Sequence, residues 1–388
     1  MILKETLRTI VKTQQFGDSG IPRSLLKDID LKTKHTIVIS GIRRCGKSTL
    51  LLQIMGNIKN FYYFNFEDPR ASGFNGEDFF RLDEVFKEEC KESDFYCFDE
   101  IQNVPEWEKF IRHLLDNKKR VAITGSNASL LGRELGTKLT GRHLSYELFP
   151  FSYDEFLILK SKEPSEQSFS EYYGLGGFPE YIEAGDPQIL RHLLMDVIER
   201  DIVARHELRN AVTLKNLATY LITNSAKEFS HNRLAKLFGA SVNTVISYIS
   251  YLEDSYILFT VPKFEYSLKK QLVNRKKAYI VDQGFAKANS LSFSQDRGRI
   301  FENIAFLHLR RKSREIHYFK EEHECDFIVD RNLAVQACLE INDENKDREI
   351  QGIKEAMKQL KIKEGIILTY NQEDVIEGIK IVPLWKWG

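Results

Sequence analysis

The sequence predicts an α/β protein whose first 150 residues build a parallel sheet covered by helices on both faces. Three observations carry this. Residues 37–40 form an apolar run that leads into Gly41-Ile-Arg-Arg-Cys-Gly46-Lys47-Ser48-Thr49 and then an apolar helix. A second apolar run, 95–98, ends on Asp99-Glu100. Further strand patterns at 62–66, 121–124 and 144–148 alternate with helical spacing such as that over 106–115, the signature of strands joined by crossover helices. Ligands of such sheets bind at the carboxyl ends of the strands, where both motifs fall.

The loop 41–49 meets the demands of a phosphate cradle. Gly41 and Gly46 let the backbone turn so that several N–H groups converge on a phosphate, with Ile42, Arg43, Arg44 and Cys45 between them. Lys47 brings a point charge to the β/γ-phosphates, and Ser48 offers a hydroxyl to Mg²⁺. The helix opening at Lys47-Ser48-Thr49 aims its positive end at the anion. Asp99 is the expected second Mg²⁺ partner, and Glu100 is placed to polarise an attacking water. Together they predict nucleoside triphosphate hydrolysis rather than binding alone. Arg43 and Arg44 either neutralise phosphate or pair with Glu67 or Asp68.

A chain of 388 residues has room for two or three domains. Fifty-six basic and 56 acidic residues cancel, so nucleic-acid contact must come from local patches. Mean hydropathy of −0.36, no apolar run long enough for a membrane span and no signal-like start predict a cytoplasmic protein. The five cysteines show neither CxxC nor metal-ligand spacing and read as reduced thiols.

In order, residues 1–35 read as a helical lead-in to the core, and 151–212 as a mainly helical lid interrupted at 174–179. Segment 213–285 reads as a winged helix. Ser230 caps one helix, Gly239-Ala-Ser241 turns the chain, and Val242, Val245, Ile246, Ile249 and Leu252 line the face of the next. Strands 256–266 and 277–282 form the wing. Its cluster of Lys263, Lys269, Lys270, Arg275, Lys276 and Lys277 suits DNA phosphates, whereas the second helix offers no Arg or Lys to read bases. Residues 297–388 order as helix, three strands, helix, two strands.

The joint pattern resembles the AAA+ ATPases, and within them a prokaryotic family with an AAA-type module, a winged helix and a C-terminal PD-(D/E)xK nuclease-like domain of restriction-endonuclease-like fold. The segments that carry the resemblance are the phosphate loop, Phe98-Asp-Glu-Ile-Gln102, Ile123-Thr-Gly-Ser-Asn127, Leu139-Thr-Gly-Arg142, 148–156, Gly176-Gly-Phe-Pro-Glu180 and 325–341. The resemblance implies ATP with Mg²⁺ and an oligomer. It also implies that Ser126 is the polar side chain facing the attacking water, with Asn127 as the alternative or as a helix cap. Arg142 or Arg133 is then the arginine finger acting on a neighbour's nucleotide. In the C-terminal domain it maps a second metal site onto Glu302, Asp326 and Gln336. Cys338 stands where the nuclease motif has its lysine, which argues against cleavage.

The resulting expectation is an AAA+ ATPase that uses Mg-ATP hydrolysis to switch a winged-helix and nuclease-like portion acting on DNA or a protein partner. The alternatives are an ATP-gated, metal-dependent DNA nuclease and a non-catalytic, nucleotide-loaded regulator.

Overall fold

The computed structural model describes residues 1–14, 16–127, 141–208, 211–290 and 297–387. They divide into two compact units, Met1–Leu148 and Phe149–Gly388.

The first unit contains α1 (Lys4–Thr13), β1 (Thr36–Ser40), α2 (Lys47–Gly56), β2 (Tyr62–Asn65), α3 (Asp78–Glu89), β3 (Phe95–Asp99), α4 (Trp107–Asp116), β4 (Arg120–Gly125) and β5 (His143–Glu147). The five strands are parallel, in the order β2-β3-β4-β1-β5. β4 therefore lies between the strand leading to the loop 41–49 and the strand carrying Asp99. All five residues of β1 and of β3 are buried, which explains their unbroken apolar runs: a parallel strand covered on both faces has no solvent side to alternate with. The core is unusually aromatic. Phe79 stacks on Phe110 with ring centroids 4.7 Å apart, and Phe64, Phe66, Phe74 and Phe98 pack edge-on or tilted around them. α1 is held to this layer by buried Leu7 and Ile10, and the Ile2 N–H donates to buried Asp78 at 3.0 Å.

The second unit begins with α5 (Tyr153–Lys160), α6 (Glu166–Leu175), α7 (Pro179–Ala184) and α8 (Gln188–Asp196), which runs into a π-helical stretch, Val197–Val203. α5 starts on a reciprocal cap between Ser152 and Glu155. Next come α9 (Ala211–Thr223), β6 (Glu228–Phe229), α10 (His231–Phe238), α11 (Val242–Asp254), β7 (Leu258–Pro262), α12 (Leu268–Val273), β8 (Lys276–Ile280) and α13 (Gln283–Asn289). The three strands form an antiparallel sheet, β6-β8-β7. Last come α14 (Arg297–Lys312), β9 (Ile316–Lys320), β10 (Glu324–Val329), β11 (Leu333–Ala337), α15 (Lys346–Leu360), β12 (Glu364–Thr369), β13 (Asp374–Ile376) and β14 (Ile379–Pro383). This sheet is mixed, ordered β13-β14-β12-β11-β10-β9. β9, β10 and β11 form an antiparallel meander, and α15 crosses over to parallel β12.

The segment Gly176-Gly-Phe-Pro-Glu180 acquires a physical reason here. Gly176 sits at φ 81°, and a Cβ there would come within 2.3 Å of the Asp282 carboxylate. That carboxylate accepts from Gly177 N at 2.6 Å and from Phe285 N at 2.8 Å, so it fastens the glycine turn to the start of α13. Burial pushes the Asp282 acid up to about 6.

Two expectations change. The strand expected over 256–266 is shorter, Leu258–Pro262, and the basic stretch 263–277 that follows it contains α12. Tyr266, Leu268, Leu272 and Val273 are exposed there beside Lys269 and Lys270. Lys277 is not on the surface at all. Lys276 and Lys277 are neighbours on a strand, so they point to opposite faces, and the second turns inward with its side chain 3% exposed.

Candidate nucleotide site and a C-terminal acidic pocket

The loop after β1 has the backbone that its glycines permit. A Cβ on Gly41 would lie 2.2 Å from the Leu148 carbonyl oxygen, and Gly46 adopts φ 99° as it caps α2. Buried Arg23 braces the loop from behind. Its guanidinium donates to the Cys45 carbonyl at 2.6 Å, and its own N–H reaches Gln53 on α2 at 3.0 Å. Arg43 donates to Glu67 at 2.9 Å. Arg44 is exposed at φ 61°, and Ile42 and the Cys45 thiol are buried. Ser48 is exposed and Thr49 partly so.

The parallel register brings the end of β3 beside this loop. Lys47 Nζ lies 3.1 Å from Glu100 Oε1 and 3.3 Å from the Ile42 carbonyl oxygen. The Ser48 hydroxyl bonds the Asp99 carboxylate. Glu100 occupies the left-handed region at φ 50°, which costs a non-glycine residue about 1 kcal/mol. Thr124 on β4 holds it there, accepting from the Glu100 N–H at 2.9 Å and donating its own proton to Asp99 Oδ1. Tyr63 approaches the other Asp99 oxygen at 3.4 Å.

Charge balance follows from these contacts. Burial raises Asp99 above the ordinary aspartate value, and bonds from Thr124 and Ser48 only partly offset it. Burial also pushes Glu100 up, but the Lys47 ammonium beside it and the Gln102 amide more than compensate, so Glu100 lies below the ordinary glutamate value. Burial alone would lower Lys47, and the Glu100 carboxylate turns that into a rise. The pair is therefore ionised on both sides.

Ser126 and Asn127 are buried at the end of β4. Gln102 Nε2 bridges Glu100 Oε2 and Ser126 Oγ, the latter at 3.3 Å, while its own Oε1 is buried with no partner. Thr124, Gln102 and Arg23 are the residues that sequence reasoning missed. Gln102 stands in a segment that carried the resemblance, Phe98-Asp-Glu-Ile-Gln102, and that was the available signal. Arg142 is elsewhere. It precedes β5, at the amino-terminal edge of a strand whose opposite end lies beside the phosphate loop. Its half-exposed guanidinium pairs with Asp116 at 2.6 Å. Arg133 and the helix that Asn127 was expected to cap lie outside the described residues.

The predicted C-terminal site is assembled differently from expectation. Glu302 on α14 and Asp326 on β10 do converge, on a cavity of about 760 Å³ also lined by Gln336. Yet Gln336 is engaged within the chain through both amide atoms: Oε1 accepts from Asp326 N at 3.1 Å, and Nε2 donates to Glu349 at 2.6 Å. The ammonium thought to be missing is present. Lys277 Nζ lies 2.8 Å from Glu302, 2.7 Å from Glu324 and 3.0 Å from Asp326. Tyr279, two positions along β8 and so on the same face, donates to Glu302 at 2.6 Å. Among the described residues, no group of three or more His, Cys, Asp and Glu is arranged to hold a metal ion. No described helix is long and apolar enough to cross a membrane.

Residues 33–157 match the model of an AAA domain, and 166–296 match a domain of unknown function. The uncharacterized protein MJ1544 of Methanocaldococcus jannaschii is 35% identical over 93% of this chain and 90% of its own length. An uncharacterized protein of Haemophilus influenzae is 28% identical over 90% of this chain and 93% of its own. Among solved structures, a Walker-type ATPase of Pyrococcus abyssi covers 66% of this chain and 91% of its own at 14% identity and a TM-score of 0.41, too distant to bear on mechanism. With an AAA domain matched at the phosphate loop and a full-length relative sharing more than a third of its residues, the chain belongs to the same family as the M. jannaschii protein, a family of AAA-type P-loop ATPases.

Proposed function

We propose that the chain binds and hydrolyses Mg-ATP, and that the cycle switches its second unit on a DNA or protein partner. The observation that carries the first half is the buried Lys47–Glu100 pair at 3.1 Å, beside the Ser48–Asp99 pair. Hard oxygen donors, one hydroxyl and one carboxylate, suit Mg²⁺, which would supply charge neutralisation at the β- and γ-phosphates. The loop amides and the Lys47 ammonium hold the triphosphate. Lys47 opens α2 directly after Gly46, and its flexible four-carbon side chain lets the ammonium exchange Glu100 for a γ-phosphate oxygen by rotation. Glu100, kept ionised, accepts a hydrogen bond from the attacking water and then its proton. Gln102 and Ser126 orient that water and the carboxylate. Arg142 acts in trans, because within one chain it stands at the wrong end of the sheet; this reading requires an oligomer.

Helices 151–212 serve as the lid. The helix pair α10–α11 with the β6-β8-β7 sheet is a winged helix in this reading. Its partner-facing lysines are Lys269, Lys270 and Lys276, not Lys277. The nuclease alternative loses support, since Gln336 and the acid pocket are already satisfied within the chain.

A paired measurement tests the catalytic half. Lys47→Ala should weaken ATP binding by about 100-fold, the value of a lost charge-assisted bond to phosphate. Glu100→Gln should keep ATP affinity and lower kcat by about 10²–10³-fold. Unchanged affinity in the first variant, or wild-type turnover in the second, refutes the assignment.

A further inference from the structure

The C-terminal pocket gathers the two acids that the resemblance maps onto a metal site, Glu302 and Asp326, and a lysine from a different place in the sequence. The partners of each oxygen resolve that contradiction. Asp326 Oδ1 meets Lys277 Nζ at 3.0 Å, and Oδ2 accepts from Ala337 N at 3.1 Å. Glu324 Oε1 meets Lys277 at 2.7 Å, and Oε2 meets Lys320 at 2.8 Å. Glu302 Oε1 accepts from both Lys277 and Tyr279. Gln336 is held through both atoms of its amide, and Glu349 beyond it is paired with Arg348. Apart from Glu302 Oε2, each carboxylate oxygen of Asp326, Glu324 and Glu302 has a partner within the chain.

We infer that the Lys277 ammonium is the resident cation of this pocket, a tethered replacement for a divalent metal that also locks the β6-β8-β7 sheet to α14 and β10. The geometry favours occupancy over chance contact on three grounds. Lys277 is the second residue of β8, in register with Glu228 on one side and Val261 on the other, so two ladders fix its backbone and aim its side chain into the pocket. An ammonium has three donors, and each finds a different carboxylate. A buried lysine is tolerated only when its charge is matched, and this one is matched by acids from both α14 and β10. The backbone reinforces the lock next door. Asn303 of α14 accepts from Ile280 N at 2.7 Å and donates to Ile280 O at 2.9 Å, completing the β8 edge with a side-chain amide. Tyr318 on β9 donates to the Arg275 carbonyl just before β8 at 2.9 Å.

The consequence is that this portion of the chain does not bind a catalytic metal and does not cleave nucleic acid while β8 is paired. Mn²⁺ titration followed by electron paramagnetic resonance on the full chain tests it. Wild type and Asp326→Asn should show the same Mn²⁺ stoichiometry, because the acids are not open to metal in either. Lys277→Met should gain one Mn²⁺ per chain, and Lys277→Met/Asp326→Asn should lose it again. A Mn²⁺ site in wild type that Asp326→Asn removes overturns the inference, as does a folded Lys277→Met chain with no added site. Should Lys277→Met fail to fold, the comparison of wild type with Asp326→Asn still decides. Mn²⁺-dependent plasmid cleavage by wild type that Asp326→Asn abolishes would equally reject it. The nucleotide site enters neither comparison, so its assignment stands or falls separately.

Discussion

The first unit and the second each bury a lysine among carboxylates, yet the two arrangements have opposite consequences. Lys47 is the first residue of α2, directly after Gly46, faces one carboxylate at 3.1 Å, and lies next to an exposed Ser48. Lys277 is carried by the middle strand of a sheet and faces three carboxylates within 3.0 Å. In the proposed reading the first trades its single internal partner for a phosphate, whereas the second is held by three. The neighbouring acids record the difference. Glu100 lies below the ordinary glutamate value. Glu302, buried and beside a second carboxylate at Asp326, is raised to about 7 despite Lys277. One charge pair is balanced, and the other carries surplus negative charge that an adjustable proton absorbs. A buried lysine with one internal carboxylate partner thus suits a ligand site better than one held by three.

The largest expected effect separates these roles. Lys277→Ala strands buried carboxylates and should cost about 3–5 kcal/mol in urea unfolding. Lys47→Ala should change stability far less, since removing it frees only one carboxylate next to a solvent-open loop. Equal losses would erase the distinction.

Gln102→Ala should lower kcat by about tenfold with nucleotide affinity unchanged, the cost of one hydrogen bond that positions Glu100. A rise in KM at constant kcat would instead make Gln102 part of the binding surface.

The acids should respond to pH with opposite signs. Glu302 holds its proton more firmly folded than unfolded. Its stabilising contribution is complete below about pH 4.5 and is lost as pH rises through about 7. Lys277 and Tyr279 from β8 and Asp326 from β10 are the ionisable groups that face it. Glu302→Gln should flatten that decline in unfolding midpoints measured between pH about 5 and 7.5. Glu100 behaves in reverse: its contribution is present above the ordinary glutamate value and fades as pH falls through its lower folded one.

The smallest effect concerns the surface lysines. Replacing Lys269, Lys270 and Lys276 with Glu should weaken DNA binding and flatten its salt dependence by about three units of slope at most. Unaltered affinity would remove this face from DNA contact and favour a protein partner.

The parallel core was legible because each of its signals is local. Strand runs, Gly41, Gly46 and the Asp99-Glu100 pair all act through the residues beside them, and β1, β3 and β4 formed within a residue of the expected bounds. The short edge strand β13 and helix α12 escaped notice, since six residues or fewer carry too little periodicity to register. Lys277 was misread for a different reason. A run of basic residues looks like one surface, but a strand sends alternate side chains to opposite faces, and only the pairing of β8 decides which of Lys276 and Lys277 goes inward.

By itself, then, the order of amino acids determined the phosphate loop, the carboxylates that follow it and the sheet that presents them, because glycine, hydrophobic run and acid each impose their geometry over a few bonds. Only the folded chain decided that Thr124 and Gln102 set the pose of Glu100, that Arg142 lies at the far end of its strand, and that Lys277 fills the C-terminal acid pocket. Those facts depend on which strands pair and in what register, a choice made by packing between residues 24 to 49 positions apart rather than by any stretch read alone.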